Sequence, residues 1–267
     1  MSFKGYAVSV TGASHEELGE GCQDSARVYL SDSFCVAAVA DGHGSAKHFR
    51  SAAGSEMATR VAIRSVCDFY ERNGDLSVFF RNDPRTAARK IAANIICGWN
   101  DEIAAHIKLL PLDDREQRIS RTYEGLSTEL IYGATLLLAI VTEEDYFGLQ
   151  IGDGCFTATV SGYPMIPMPE DERLVGNLTT SLCDSDAISG FRYVYREERC
   201  DAVTLSSDGL INSFLSAEDF LKFTRRITEA IKSDSTSALS EHLSIRSQQG
   251  SRDDISVAAL LVEREND

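Results

Sequence analysis

The sequence predicts an α+β fold, with strands gathered into groups instead of alternating regularly with helices. Two observations carry this. Short apolar runs rich in Val, Ile, Leu and Phe are separated by bends containing Gly and Asp. These runs fall on both sides of two long helical stretches that follow one another directly. A doubly wound parallel sheet would need strand and helix in alternation, which this order lacks.

Taken in order, residues 6–10, 27–30 and 34–40 read as strands from their apolar and β-branched content. Residues 47–72 have a helical pattern, with Ala58, Ala62, Val66 and Phe69 on one face. Pro84 opens a second helix, whose stripe of Ile91, Ile95, Trp99, Ile103 and Ile107 recurs every four residues and predicts one buried face. Residues 134–141, 146–151 and 155–160 read as three strands, the last two separated by the Gly152-Asp153-Gly154 bend. Residues 161–186 hold three of the five prolines (Pro164, Pro167 and Pro169) and read mostly as loop. Strands at 191–195 and 202–206 follow. Ser216, with Asp219 three residues on, starts a helix running to Lys232. Residues 237–247 read as another helix and 255–262 as the closing strand. No internal repeat and no linker divides the chain, so one domain over residues 1–267 is expected.

Composition narrows the function classes. With 267 residues, 43% of them hydrophobic, the chain can bury an enzyme-sized core. A formal charge of -15 argues against a nucleic-acid surface, which needs an excess of Lys and Arg. Seven scattered cysteines with no C-x-x-C pair suit reduced, mostly buried thiols. Neither an apolar leader nor an 18-residue apolar span is present. The expectation is a cytoplasmic protein that engages neither membrane nor nucleic acid.

Four acidic motifs carry the chemistry: Gln23-Asp24-Ser25, Asp41-Gly42-His43-Gly44, Ser207-Asp208-Gly209 and Ser251-Arg252-Asp253-Asp254. Each adjoins an apolar run. An Asp at the end of a buried strand is costly unless paired, so several converging Asp side chains imply a cation. Oxygen ligands without a His/Cys cluster favour a hard ion, Mg²⁺ or Mn²⁺, over zinc. Singly, each motif also reads as an ordinary turn or charged loop.

In this order the four motifs resemble the metal-dependent serine/threonine protein phosphatases of type 2C (the PPM family), in a divergent bacterial-type branch marked by Ser14-His15 and Gln23-Asp24. The resemblance implies a four-layer α-β-β-α sandwich of two stacked antiparallel sheets flanked by helices. It implies two Mg²⁺ or Mn²⁺ ions, with Asp41 bridging, the Gly42 carbonyl, Asp208 and Asp253 as ligands, and Asp24 holding metal-bound water. Asp153, together with Asp208, corresponds to a third, looser metal position. His43 corresponds to a general acid for the leaving alkoxide, with a structural role as the alternative; Gln23 and Asp254 fall behind the ligands. The implied activity is hydrolysis of phosphoserine and phosphothreonine in proteins by a metal-activated water, with a cognate Ser/Thr kinase as counterpart.

The departures from the family pattern are specific. Gly19 stands where many members carry a phosphate-binding Arg, the usual Glu-Asp pair is Gln23-Asp24, and the usual Gly-Asp-Ser-Arg bend reads Gly152-Asp153-Gly154-Cys155. His15 is the candidate to replace that Arg at the phosphate. Two rivals therefore stay open, a regulatory pseudophosphatase and a phosphatase of small phosphoesters. The family also carries a variable flap where residues 161–186 fall, so this segment is expected at the rim of the site.

Overall fold

The computed structural model describes residues 1–123, 125–174 and 179–264. Its elements run β1 (Ser2–Val10), α1 (Ala13–Leu18), β2 (Ser25–Leu30), β3 (Cys35–Ala40), α2 (Ser51–Asn73), α3 (Leu76–Asn82), α4 (Pro84–Leu109), α5 (Asp114–Thr122) and α6 (Thr128–Ile131). They continue with β4 (Leu136–Val141), β5 (Tyr146–Ile151), β6 (Cys155–Val160), β7 (Tyr163–Met165), α7 (Ala187–Gly190), β8 (Arg192–Arg196) and β9 (Ala202–Ser206). The chain closes with α8 (Asp208–Ile211), α9 (Ala217–Lys232), α10 (Leu239–Gln249) and β10 (Ile255–Glu263).

Among the described residues ten strands form two five-stranded sheets, ordered β1-β10-β9-β6-β7 and β2-β3-β4-β5-β8, and every pairing is antiparallel. Strand β3 shows how the layers stack. Val36, Ala38 and Ala40 pack towards α2 and α4, among Ala58, Ala62, Ile91, Ile95 and Trp99. Cys35, Ala37 and Val39 point the other way, into the core shared with Phe156, Val203, Leu205, Ala258 and Leu260 of the second sheet. A third core lies between that sheet and α9 and α10. With both faces covered, β3 and β4 are apolar throughout and show no alternation.

Local sequence accounts for the long helices. The Asp83 carboxylate accepts from the Thr86 N–H at 2.9 Å with Pro84 in the first turn, and Ser216 Oγ accepts from the Asp219 N–H at 3.1 Å. Several boundaries differ from the pattern. Helix α2 starts at Ser51, because residues 45–48 form a turn closed by the His48 N–H on the Ser45 carbonyl. Ile107 is only half-buried, being near the end of α4. Residues 161–186 are not all loop: β7 pairs with β6 on the sheet edge, where Pro164 costs no central ladder bond. Helices α1, α3, α5, α6, α7 and α8 had no counterpart in the pattern.

All seven cysteines are free; Cys35, Cys155 and Cys200 are buried, and Cys97 is exposed. Among the described residues no helix is long and apolar enough to cross a membrane.

Candidate active site

Antiparallel pairing gathers the acidic motifs at one end of the sandwich. Ser25 pairs with Ala40, so the start of β2 and the end of β3 lie side by side and bring Asp24 and Asp41 together. Ser206 pairs with both Val257 and Cys155, which places Asp208, the Asp253-Asp254 loop and the Asp153 bend on the same edge. Asp41, Asp153, Asp208 and Asp253 line one cavity of about 420 Å³, together with His43, Lys47, His48, Thr135 and Ser181. Asp24 is absent from that lining but is coupled to it by charge.

The backbone is arranged for close approach. An isolated bridge joins Gly42 to Ala134, with the Thr135 N–H donating to the Asp41 carbonyl at 2.8 Å and the His43 N–H donating to that of Gly133 at 3.2 Å. In such a bridge the peptide groups of Gly42 itself turn away from Ala134, which leaves its carbonyl available to an ion. A Cβ on Gly42 would lie 2.6 Å from the Gln23 carbonyl oxygen, so only glycine fits.

The carboxyls strain against one another. Burial pushes Asp24 up to about 8, against a stabilising hydrogen bond from Ser207 and with repulsion from Asp254, Asp253 and Asp208. Burial also raises Asp41 well above the ordinary carboxylate range, helped by the charges of Asp24 and Asp208. Asp208 rises to about 6, through burial and then the charge of Asp153. Asn212 Nδ2 donates to Asp208 Oδ2 at 3.0 Å. The other Asp208 oxygen, Oδ1, and Asp24 Oδ2 are buried without a hydrogen-bond partner.

Orphaned carboxylate oxygens among like charges fit a hard divalent cation, which would supply both the missing partner and the missing charge. Among the described residues no three His, Cys, Asp or Glu side chains form a ready-made cage. A site that keeps water among its ligands, as Mg²⁺ sites do, needs none.

Asp254 has a different task. Its Oδ1 accepts from the Gly12 N–H at 2.6 Å and lies 2.9 Å from His15 Nδ1, while its Oδ2 accepts from the Gln23 N–H at 2.6 Å. Gln23 in turn accepts from Ser51 Oγ at 2.6 Å through its side chain and from Ser55 Oγ at 2.6 Å through its carbonyl. This buried carboxylate therefore ties three loops behind the cavity. Asp254→Ala would leave buried donors unmet, at a cost of about 3 kcal/mol, and should lower the melting temperature by roughly 10 °C. A thermal melt within about 2 °C of the parent would contradict that role. His15, the candidate for a phosphate contact, has its ring engaged with Asp254 and lies outside the cavity lining.

His43 lines the cavity with its Nε2 2.7 Å from Ser181 Oγ, and burial lowers its pKa to about 4. Its ring centroid lies 4.8 Å from that of His48, whose Nδ1 donates to the Leu130 carbonyl. The rim is completed by the segment from Thr179 to Asp184, held by the Gly152 N–H on Thr180 Oγ1 at 2.9 Å and the Leu182 N–H on the Ala134 carbonyl at 3.0 Å. Residues 175–178 of the expected flap lie outside the described residues. His48, Thr135 and Ser181 carry no sequence signal, since each is held by a non-local contact, and Lys47 is an ordinary loop residue. Asn212 was findable, four residues after Asp208 on one helical turn.

Comparison with known proteins follows the same lines. The family model for protein phosphatase 2C matches residues 11–244, and the chain belongs to that family of serine/threonine protein phosphatases. The catalytic domain of the serine/threonine protein phosphatase PstP, solved with two manganese ions, superposes with a TM-score of 0.61 at 19% identity, covering 98% of this chain and 99% of that one. PstP/Ppp of Mycobacterium tuberculosis gives 0.59 at 16% identity, covering 99% and 100%. Stp1 of Staphylococcus aureus gives 0.62 at 14% identity, covering 99% and 96%. These likenesses show the four-layer sandwich. No curated protein matches the sequence.

Proposed function

We propose that this phosphatase depends on Mg²⁺ or Mn²⁺ and hydrolyses phosphoserine and phosphothreonine in cytoplasmic proteins modified by a Ser/Thr kinase. The observation that carries the metal reading is the pair of orphaned carboxylate oxygens, on Asp24 and Asp208, beside the cavity that Asp41, Asp153, Asp208 and Asp253 line. In this reading Asp41, the Gly42 carbonyl, Asp24, Asp208 and Asp253 hold two cations, and Asp153 with Asp208 a third. When bound, such cations acidify a water molecule and neutralise phosphate charge.

The chain's own residues do the rest. Asn212 fixes the Asp208 carboxylate, and Asp254 and Gln23 fix the loops bearing Asp24 and Asp253. Lys47, the one Lys or Arg lining the cavity among the described residues, is the cation available to a phosphate oxygen. His43 is held neutral at pH 7 by burial, so it serves a leaving alkoxide only with a proton taken up during the same turnover.

Two results test this. Hydrolysis of an aryl phosphate should require Mg²⁺ or Mn²⁺ at about millimolar concentration, since ligand sets that retain waters bind these ions loosely. Full activity in excess chelator would refute the metal reading. His43→Ala should slow a phosphoserine peptide about a hundredfold, but an aryl phosphate, whose leaving group needs little protonation, by less than about fivefold. Equal losses on both substrates would point to positioning instead.

A further inference from the structure

Ser181 is 3% exposed, and four polar groups surround its Oγ. The Ala134 carbonyl oxygen lies at 3.0 Å, His43 Nε2 at 2.7 Å, Cys183 Sγ at 3.1 Å and the Cys183 backbone N–H nitrogen at 3.4 Å. A hydroxyl has one proton to give. The Ala134 carbonyl can only accept, and two oxygens 3.0 Å apart with no proton between them repel, so that proton goes to Ala134. The Oγ lone pairs are then left for His43, and Nε2 must be the donor. A neutral imidazole protonated at Nε2 has a bare Nδ1. No hydrogen bond reaches His43 Nδ1 among the described residues, although the ring lines the cavity.

The anchorage of Ser181 is firm on both sides. Its own N–H donates to Asp184 Oδ2 at 2.8 Å, and the neighbouring Leu182 N–H donates to the same Ala134 carbonyl at 3.0 Å. Ala134 is in turn bridged to Gly42, and His43 donates its backbone N–H to Gly133. The imidazole is therefore held at its backbone by one residue and at its ring by another, both tied to the same short stretch before β4.

We propose that Ser181 is a positioning residue for phosphoester hydrolysis: clamped to the Ala134 carbonyl, it fixes His43 as the Nε2–H tautomer and leaves Nδ1 as the nitrogen open to water or substrate. The catalytic consequence rests on the phosphatase reading above; the tautomer does not. Cys183 is a secondary contact, because its thiol can donate to Oγ without competing for the proton that Ser181 gives to Ala134.

The test is two-bond ¹⁵N–¹H NMR of the imidazoles at neutral pH, without metal and with Mg²⁺, using His43→Gln to assign the His43 signal among the five histidines. The parent should show a protonated Nε2 and a bare Nδ1. Ser181→Ala should shift the signal to a mixture of tautomers and lower kcat on a phosphoserine peptide about tenfold, with KM within about twofold. Ser181→Thr, which keeps the hydroxyl, should retain the tautomer and most of kcat. An Nδ1–H tautomer in the parent would overturn the proposal, as would Ser181→Ala leaving tautomer or kcat unchanged. If Ser181→Ala fails to fold, the parent spectrum and Ser181→Thr decide. If the parent shows no hydrolysis of phosphopeptide with Mg²⁺, the phosphatase reading fails, while the spectra still decide the clamp.

Discussion

Asp41→Asn, Asp208→Asn and Asp253→Asn should each lower phosphatase turnover by roughly a thousandfold while leaving the chain folded. Each change keeps the shape of the side chain and removes the charge with which it would hold a cation. The fold should not suffer, because these residues repel their neighbours in the metal-free protein. Asp41 is raised by burial and then by Asp24 and Asp208, so neutralising it relieves a buried like-charge contact. Asp41→Asn should therefore melt at the same temperature as the parent or higher when metal is absent above neutral pH. Steady-state hydrolysis of a phosphopeptide and thermal melts by circular dichroism measure both halves. Near-normal rates in all three variants would remove these residues from the site.

The metal-free protein should lose stability as pH rises, with metal abolishing the loss. Asp24 at about 8 and Asp208 at about 6 both lie above the ordinary value near 4, and Asp41 moves the same way. Groups whose folded pKa exceeds the unfolded one bind extra protons in the folded state. Their stabilising contribution is complete below about pH 4 and is lost as pH climbs through about 6 and then about 8. A fall in melting temperature of roughly 10 °C between about pH 5 and about pH 8.5 is expected for the chelated protein. Saturating Mg²⁺ should flatten that profile, by occupying carboxylates that otherwise need protons. A profile that is flat without metal, or equally steep with it, would contradict the proposed electrostatics.

The sequence revealed more of the site than of its surroundings. Each acidic motif borders an apolar run, so strand ends and bends were readable locally, and the converging charges argued for a cation before any geometry. The layering was not readable in this way. Strands β3 and β4 are covered on both faces, so their side chains carry no alternation to say which residue meets α2 and which meets β9. The four-layer arrangement came from family resemblance alone. Short helices escaped for local reasons: α1 is preceded by Gly12 without a side-chain cap, and α3 (LSVFFRN) has strand-like composition. The pairing of His15 with Asp254 was not readable, because the two are 239 residues apart. Ser181, buried against Ala134 and His43, was invisible for the same reason.

The central claim is that the acidic end of the sandwich is a binuclear cation site, and a crystal grown with Mn²⁺ tests it directly by anomalous scattering. Two peaks should lie in the cavity, one near Asp208 and Asp253, the other near the Gly42 carbonyl and Asp24, with Asp41 between them. A well-diffracting crystal in millimolar Mn²⁺ with no anomalous peak among these residues, or with peaks only elsewhere on the surface, would contradict it.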